Sequence, residues 1–130
     1  MSPQIDVQKQ VEYWKKNSTE DLLAASDIIT RDKHIRQGLF FLHLALEKML
    51  KAHVCKTIQD VPPRIHDLVR LVNIAGIALS QDKIDLLLEV NVFNLEGRYP
   101  EYEIPSTSLQ EAKVYLAQGE ELIKWLSKQL

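Results

Sequence analysis

The feature of this sequence that most constrains its fold is the stretch Gly38–His53, GLFFLHLALEKMLKAH, which is apolar around almost the whole circumference of a helix. Five apolar residues follow helical spacing and four more fill the faces between them: Leu39, Leu42, Leu46, Met49 and Leu50, then Phe40, Phe41, Leu44 and Ala45. The few polar residues include Glu47 and Lys51, whose order favours an ion pair along one helix face. The stretch is too short and too charged at its far end to cross a bilayer. It is therefore predicted to be a central helix, covered on several sides by its own bundle or by a second subunit.

Hydrophobic spacing and capping residues predict five helices in the whole chain. Their predicted spans are about Val7–Ile29, Ile35–Lys56, Asp67–Gly76, Gln81–Asn94 and, after Ser108, as far as Leu130. The segment Asp60–Arg64, DVPPR, breaks the chain after the second helix, because each proline restricts its own φ and the residue before it. The segment Gly97–Pro105, GRYPEYEIP, has no helical period and is predicted to be an ordered loop.

Local signals set the ends and faces of the later helices. Gly76 is a typical residue just beyond a helix end, and Ser108 with Glu111 three residues on fits a capping box. The fourth helix is predicted to bury Ile84, Leu87, Leu88, Asn91 and Val92. No strand, repeat or linker is indicated. The prediction is therefore a single domain, residues 1–130, with an all-α, up-and-down bundle of four long helices plus one short helix.

Charge and cysteine content exclude some classes of protein. The formal net charge is −2, so nucleic acid, if bound, must be bound by a local basic patch rather than by the charge of the whole chain. The single Cys55 cannot form an internal disulfide, which fits a reducing compartment. The N-terminal sequence MSPQIDVQKQ lacks the apolar region of a secretory signal, and no membrane span is expected. A cytoplasmic location is the prediction.

Three segments in order resemble the HEPN domain family. FFLHLALEKMLKAH is similar to the second-helix pattern of that family, with Ala45, Glu47, Lys48, Lys51 and Ala52 at its Ala-x-Glu-Lys-x-x-Lys-Ala positions. Pro62–Leu68, PPRIHDL, resembles the family's His-Asp-Leu entry to the next helix, and Phe93–Tyr102, FNLEGRYPEY, resembles its Arg-Tyr-Pro segment. The resemblance covers about Val7 to Leu130.

The resemblance implies a helical bundle that often self-associates, with a groove between helices proposed to take nucleotides or RNA. Many members of the family are encoded beside a minimal nucleotidyltransferase, with which they form a complex or a toxin–antitoxin pair. Some subfamilies are metal-independent ribonucleases that use an Arg followed, after four to six residues, by a His. In such a site the His acts on the attacking 2′-hydroxyl and the Arg stabilises charge at the phosphate.

The ribonuclease pair is not kept where the resemblance would put it. Arg98 occupies the segment of the motif arginine, but no His follows it in the chain. The formal match to the spacing is Arg36 with His43, which lies at the start of the core helix instead. Seven residues apart, these two side chains share one face of a helix. The pair Arg36 and His43 therefore stays as an alternative catalytic site beside a non-catalytic interpretation.

The residues predicted to bind a phosphate or nucleotide are Arg98, Tyr99, Tyr102, Lys48 and Lys51. A guanidinium can hold a phosphate through forked hydrogen bonds, and a tyrosine ring offers a stacking face for a base. In the competing interpretation Arg98 pairs with a nearby glutamate, Tyr99 packs in the core, and the lysines lie on a solvated helix face.

No metal site or cofactor is expected. His43 and Glu47 share a helix face, but no second helix offers the carboxylate and histidine of a di-iron bundle. His66 follows the proline break and is interpreted as a hydrogen-bonding residue at a helix start. The sequence also lacks a Gly-rich phosphate loop and a Gly-x-Ser-x-Gly nucleophile motif.

The resemblance implies a non-catalytic module that associates with nucleotide or RNA and partners a minimal nucleotidyltransferase, and the core helix adds the expectation that the module is dimeric. A homodimer is expected because a core helix without a polar face leaves surface for a second copy of the chain. A monomer whose five helices suffice is the alternative. The other functional classes left open are a HEPN ribonuclease toxin and a purely structural interaction scaffold.

Overall fold

The fold is an all-helical bundle. A computed structural model describes residues 5–94 and 106–130, and it has five helices and no strand within them. They are α1 (Val7–Thr30), α2 (Ile35–Ile58), α3 (Leu68–Ala75), α4 (Gln81–Asn91) and α5 (Leu109–Lys128). The all-α prediction is confirmed. None of these helices is both long and apolar enough to span a membrane.

The helix α2 forms the centre of the bundle and contacts each of the other four helices. Fourteen of its 24 residues are buried, including a nearly continuous run from Ala45 to Cys55. This burial follows from its sequence, because apolar side chains point in nearly every direction around it. The prediction of a core helix is confirmed.

The helices α1 and α2 form a close antiparallel hairpin. The Ser18 hydroxyl donates a 2.6 Å hydrogen bond to the carbonyl oxygen of Ala45, and both groups are buried. Near the corner, Gly38 lies so close to Ile29 that a Cβ on the glycine would overlap Cγ1 of the isoleucine. Gly38 therefore allows the two backbones to approach, and it fixes the corner that joins them.

The helix α5 runs parallel to α2. Gly119 faces Leu42, where a Cβ on the glycine would lie 2.6 Å from Cδ1 of the leucine. Further along, Nε2 of the buried His53 lies 2.8 Å from the carbonyl oxygen of Leu126 and donates to it. These contacts, one at the middle of α5 and one near its C-terminal end, hold α5 along the core helix.

Two predicted helix boundaries are confirmed in atomic detail. Ser108 and Glu111 form a capping box, in which the serine hydroxyl accepts from the Glu111 backbone and the glutamate accepts from the Ser108 backbone. Gly76 ends α3 with φ +69°, a left-handed conformation that glycine adopts without steric cost.

The buried face of α4 differs from the prediction. The structure buries Leu86, Leu87 and Val90, whereas Leu88 is 51% exposed and Val92 is 36% exposed. The helix has apolar residues at six of nine positions from 84 to 92, so more than one stripe fits a helical period. Packing against α3 and α5 determines which of these stripes is buried, so the buried face cannot be predicted from the sequence of α4 alone.

Candidate functional site

A strip of three ionisable residues crosses the apolar surface of α2. His43, Glu47 and Lys51 follow one another at intervals of four residues and therefore lie on one face of the helix. Their exposures are 0%, 4% and 6%, so all three are buried. A buried charge is costly unless it is paired, which makes the contacts of this strip decisive.

Glu47 is the centre of the strip. Its Oε2 accepts a 3.0 Å hydrogen bond from Nζ of Lys51, which confirms the ion pair that their spacing favours. Its Oε1 lies 3.0 Å from Nδ1 of His66, and a carboxylate can only accept, so Nδ1 carries the proton. His66 immediately precedes Asp67, the N-cap of α3. Glu47 therefore ties the beginning of α3 to the middle of α2.

His43 lies beside this ion pair and is fully enclosed. Its Nδ1 is 3.8 Å from Oε1 of Glu47, and the ring also lies beside His66 and Asn91. Burial lowers the pKa of His43, and the nearby Glu47 carboxylate opposes only part of that effect. His43 is therefore a neutral imidazole at neutral pH.

Asn91, at the end of α4, completes this region. Its Oδ1 accepts a 3.0 Å hydrogen bond from the backbone of Leu68, and its Nδ2 donates to Oδ1 of Asp67 at 3.1 Å. The end of α4 is thereby fixed to the start of α3, next to His66. The name polar junction is used below for five residues that gather where α2, α3 and α4 meet: His43, Glu47, Lys51, His66 and Asn91.

Both lysines predicted to bind phosphate face carboxylates. Nζ of Lys51 pairs with Glu47 and also lies 5.3 Å from the ring centroid of Trp14. Nζ of Lys48 lies 2.6 Å from Oδ2 of Asp21, and its side chain is 24% exposed. The geometry supports a structural role for Lys51 and leaves Lys48 the more accessible of the two. A phosphate-binding role for either stays a prediction.

The two residues of the alternative catalytic pair lie in different environments, one at the surface and one in the interior. Arg36 is exposed in the first turn of α2, whereas His43 is fully buried about two turns further on. A ribonuclease pair needs both side chains at the same phosphodiester, and here only the arginine is accessible. The remaining predicted residues, Arg98, Tyr99 and Tyr102, lie outside the described residues, so their roles stay predictions.

Sequence reasoning underestimated two members of the polar junction. His66 was predicted to form hydrogen bonds at a helix start, and it does bond, but its partner is Glu47 on another helix. Asn91 was predicted to lie on the buried side of α4, and it is partly buried while bonding the start of α3. The spacing of polar residues every four positions on α2 indicated His43, Glu47 and Lys51, but no pattern in the sequence indicated that His66 and Asn91 lie beside them. Among residues 5–94 and 106–130 there is no group of three His, Cys, Asp or Glu side chains that could hold a metal ion.

The comparison with known protein families finds a match for this chain. A family model described as HEPN domain matches residues 11–130, which is nearly the whole chain. The chain belongs to the HEPN domain family. No curated protein and no solved structure matches it. The resemblance drawn from three segments of the sequence is thus confirmed, and the polar junction lies where α2, α3 and α4 of this HEPN domain meet.

The buried ion pair of this HEPN domain predicts a specific pattern of stability. Glu47→Leu leaves the Lys51 ammonium buried without its carboxylate, and Lys51→Met leaves Glu47 with His66 alone, so each should cost about 3–5 kcal/mol. The double variant should recover much of that loss, because it removes both buried charges. Urea denaturation measures the free energy of unfolding of all three.

The pair of Lys48 and Asp21, which is more exposed than the pair of Lys51 and Glu47, provides the matched control. Lys48→Met breaks an ion pair with Asp21 that water still screens, so it should cost about 1 kcal/mol or less. Single variants of Glu47 and Lys51 that cost no more than Lys48→Met would contradict the burial of a strong ion pair in α2.

Two buried histidines predict a loss of stability in acid. Burial lowers the pKa of His43 and of His53, while histidine in the unfolded chain titrates near 6.5. Below about pH 6.5 the unfolded chain therefore binds protons that the folded chain resists. Each histidine should lower the free energy of unfolding by up to about 1.4 kcal/mol per pH unit as the pH falls toward 5.

The histidine contributions can be separated by substitution. His43 faces Glu47, His66 and Asn91, whereas His53 faces Leu126 and Lys56. Urea denaturation of His43→Leu and of the parent at pH 7, 6 and 5 compares the slopes of stability against pH. A flatter slope is expected for the variant. Parallel slopes would show that burial does not lower the pKa of His43.

Proposed function

We propose that this HEPN domain is a non-catalytic module that binds nucleotide or RNA and works with a minimal nucleotidyltransferase. The observation that carries the proposal is the family match over residues 11–130, because HEPN domains are associated with nucleotide and RNA functions. The match includes the whole of α2, the buried central helix of the bundle. The nucleotidyltransferase partner and the nucleotide or RNA ligand are both part of the proposal.

A binding role is favoured over ribonuclease action by the position of the histidines. The last histidine of the sequence is His66, so none follows Arg98 in the segment where ribonuclease members carry the pair. In the alternative pair, His43 is fully buried, and its ring cannot reach a 2′-hydroxyl without opening the bundle. Both observations support a module without the family's catalytic pair.

The proposal assigns the principal phosphate contact to Arg98. A guanidinium forms two parallel hydrogen bonds to a phosphate, and Tyr99 or Tyr102 would add stacking with a base. Lys48 would contribute less because it already pairs with Asp21, and Lys51 least because it is buried against Glu47. Arg98 is therefore the residue whose removal should matter most.

Calorimetric titration with ATP, GTP and short RNA oligomers tests this proposal. The parent should bind at least one of them, and Arg98→Ala should weaken that binding about tenfold, the loss of a charge-assisted hydrogen bond to phosphate. Arg70→Ala, which removes an exposed arginine from α3, is the matched control and should bind as the parent does.

Two other outcomes select the competing functions. Cleavage of total RNA that is lost in Arg98→Ala or His43→Ala would identify a ribonuclease toxin instead. Absence of binding heat with every nucleotide and oligomer, together with an unchanged melting temperature, would leave a purely structural scaffold.

The proposal includes a homodimer formed through the core hairpin. Phe40, Phe41 and Leu44 on α2 are all only partly buried, and of these Phe41 packs against the core cluster. An apolar strip of this kind can be covered by the same strip of a second copy about a two-fold axis. A second copy would therefore complete the burial that α2 begins.

Sedimentation equilibrium tests the homodimer. The parent should sediment as a dimer at micromolar concentration, and Leu44→Glu should dissociate it because a charge would enter the apolar contact. Leu88→Glu is the matched control, since Leu88 is 51% exposed on α4. A parent species of 15.0 kDa would contradict the dimer.

A further inference from the structure

Cationic side chains gather at the corner between α1 and α2. The name basic corner is used here for residues 31–36, which carry three cations, Arg31, Lys33 and Arg36, together with His34 and with Asp32 as the one carboxylate. All five of these side chains are exposed. In a chain with a formal net charge of −2, this short segment has a local excess of positive charge.

The cations of the basic corner differ from those of the core helix in lacking partners. Arg31, Lys33 and Arg36 make no ion pair within residues 5–94 and 106–130, whereas Lys48 and Lys51 are both paired. Asp27, one turn before Arg31 in α1, is the other carboxylate nearby, and it also forms no ion pair with the corner. The charge of the corner is therefore available to a ligand.

The backbone adds to this positive potential without providing a site by itself. The first turn of α2 contains no acidic residue, and His34 makes no side-chain cap, so no carboxylate of the helix itself offsets the positive end of its dipole. The corner joins the two helices at Gly38, whose close contact with Ile29 holds the hairpin together. The cations are thus presented by a rigid turn between two long helices.

The surroundings of the corner indicate what kind of anion it fits. The exposed large apolar residues of the described chain lie elsewhere, and none falls between positions 24 and 57. A membrane-binding surface normally adds exposed apolar side chains that insert among lipids, and the apolar residue of this corner, Ile35, is partly buried. Two guanidinium groups and an ammonium in six residues instead match the repeated phosphates of a nucleic-acid strand.

We infer that the basic corner is a docking surface for the sugar-phosphate backbone of single-stranded RNA. This assignment rests on the proposed function and goes beyond it, because it names residues that the proposed function does not use and a sequence-independent mode of contact. Phosphate contacts of this kind position a strand and provide affinity that depends on salt. The corner therefore holds the strand, while Arg98 and its tyrosines contact a nucleotide.

The test compares two triple variants with the same change in charge. One carries Arg31→Gln, Lys33→Gln and Arg36→Gln, and the other carries Lys9→Gln, Lys15→Gln and Lys16→Gln, which removes three exposed lysines from α1. Fluorescence anisotropy with a labelled oligouridine, at a series of salt concentrations, measures the affinity of each. Thermal melting checks that both fold as the parent does.

The expected difference follows from counterion release. Loss of three phosphate contacts should reduce the slope of log affinity against log salt by about 2, and should weaken binding about tenfold or more at low salt. The α1 variant should retain the slope of the parent, with affinity reduced less than about threefold by the change in net charge. Asp32→Asn, which removes the one carboxylate of the corner, should tighten binding.

The remaining outcomes overturn the inference in distinguishable ways. If the parent binds no RNA at any salt concentration, the proposed function and the docking surface fail together. If Arg98→Ala weakens binding while the two triple variants behave alike, the proposed function stands and the docking surface fails. Equal, corner-dependent binding to polyglutamate, or to vesicles that contain phosphatidylserine, would also overturn the assignment to RNA.

Discussion

Burial of α2 is the constraint on which the other helices depend. A helix with apolar side chains on nearly every face gains free energy, at about 25 cal/mol for each Å² of apolar surface, only when neighbours cover it on several sides. The chain meets this requirement with α1 along one side, α5 along another and α3 near the far end. Gly38 and Gly119 make two of these approaches possible, because a side chain at either position would meet a neighbouring residue.

The buried Glu47 determines where α3 packs along the central helix, in addition to any effect on the stability of the fold. Stability alone does not account for the pair with Lys51, because apolar residues of similar volume often serve as well or better. Glu47 bonds Lys51 and His66 at the same time only when α3 begins level with the middle of α2. The carboxylate therefore fixes the register of α3, and Asn91 passes that register to α4.

Features that depend on neighbouring residues in one segment could be predicted from the sequence. Features that depend on packing between segments could not. The core helix, the capping box at Ser108 and the left-handed Gly76 were all predictable, since each follows from neighbouring residues. The buried face of α4 was not, because Leu88 and Leu87 both fit a helical stripe and only the packed neighbours decide. The polar junction is likewise a meeting of three segments, so spacing on α2 indicated His43, Glu47 and Lys51 but not their partner His66.

The distribution of cations relates this fold to a binding function. Lys48 and Lys51 belong to the second-helix pattern of the family, yet in the structure their charges are balanced by Asp21 and Glu47. A cation that already stabilises the bundle must break that contact before it can hold a phosphate, and the loss subtracts from the affinity for a ligand. Cations without carboxylate partners carry no such penalty. In the proposed binding role, recognition of an anion should therefore depend on surface cations without carboxylate partners rather than on Lys48 and Lys51.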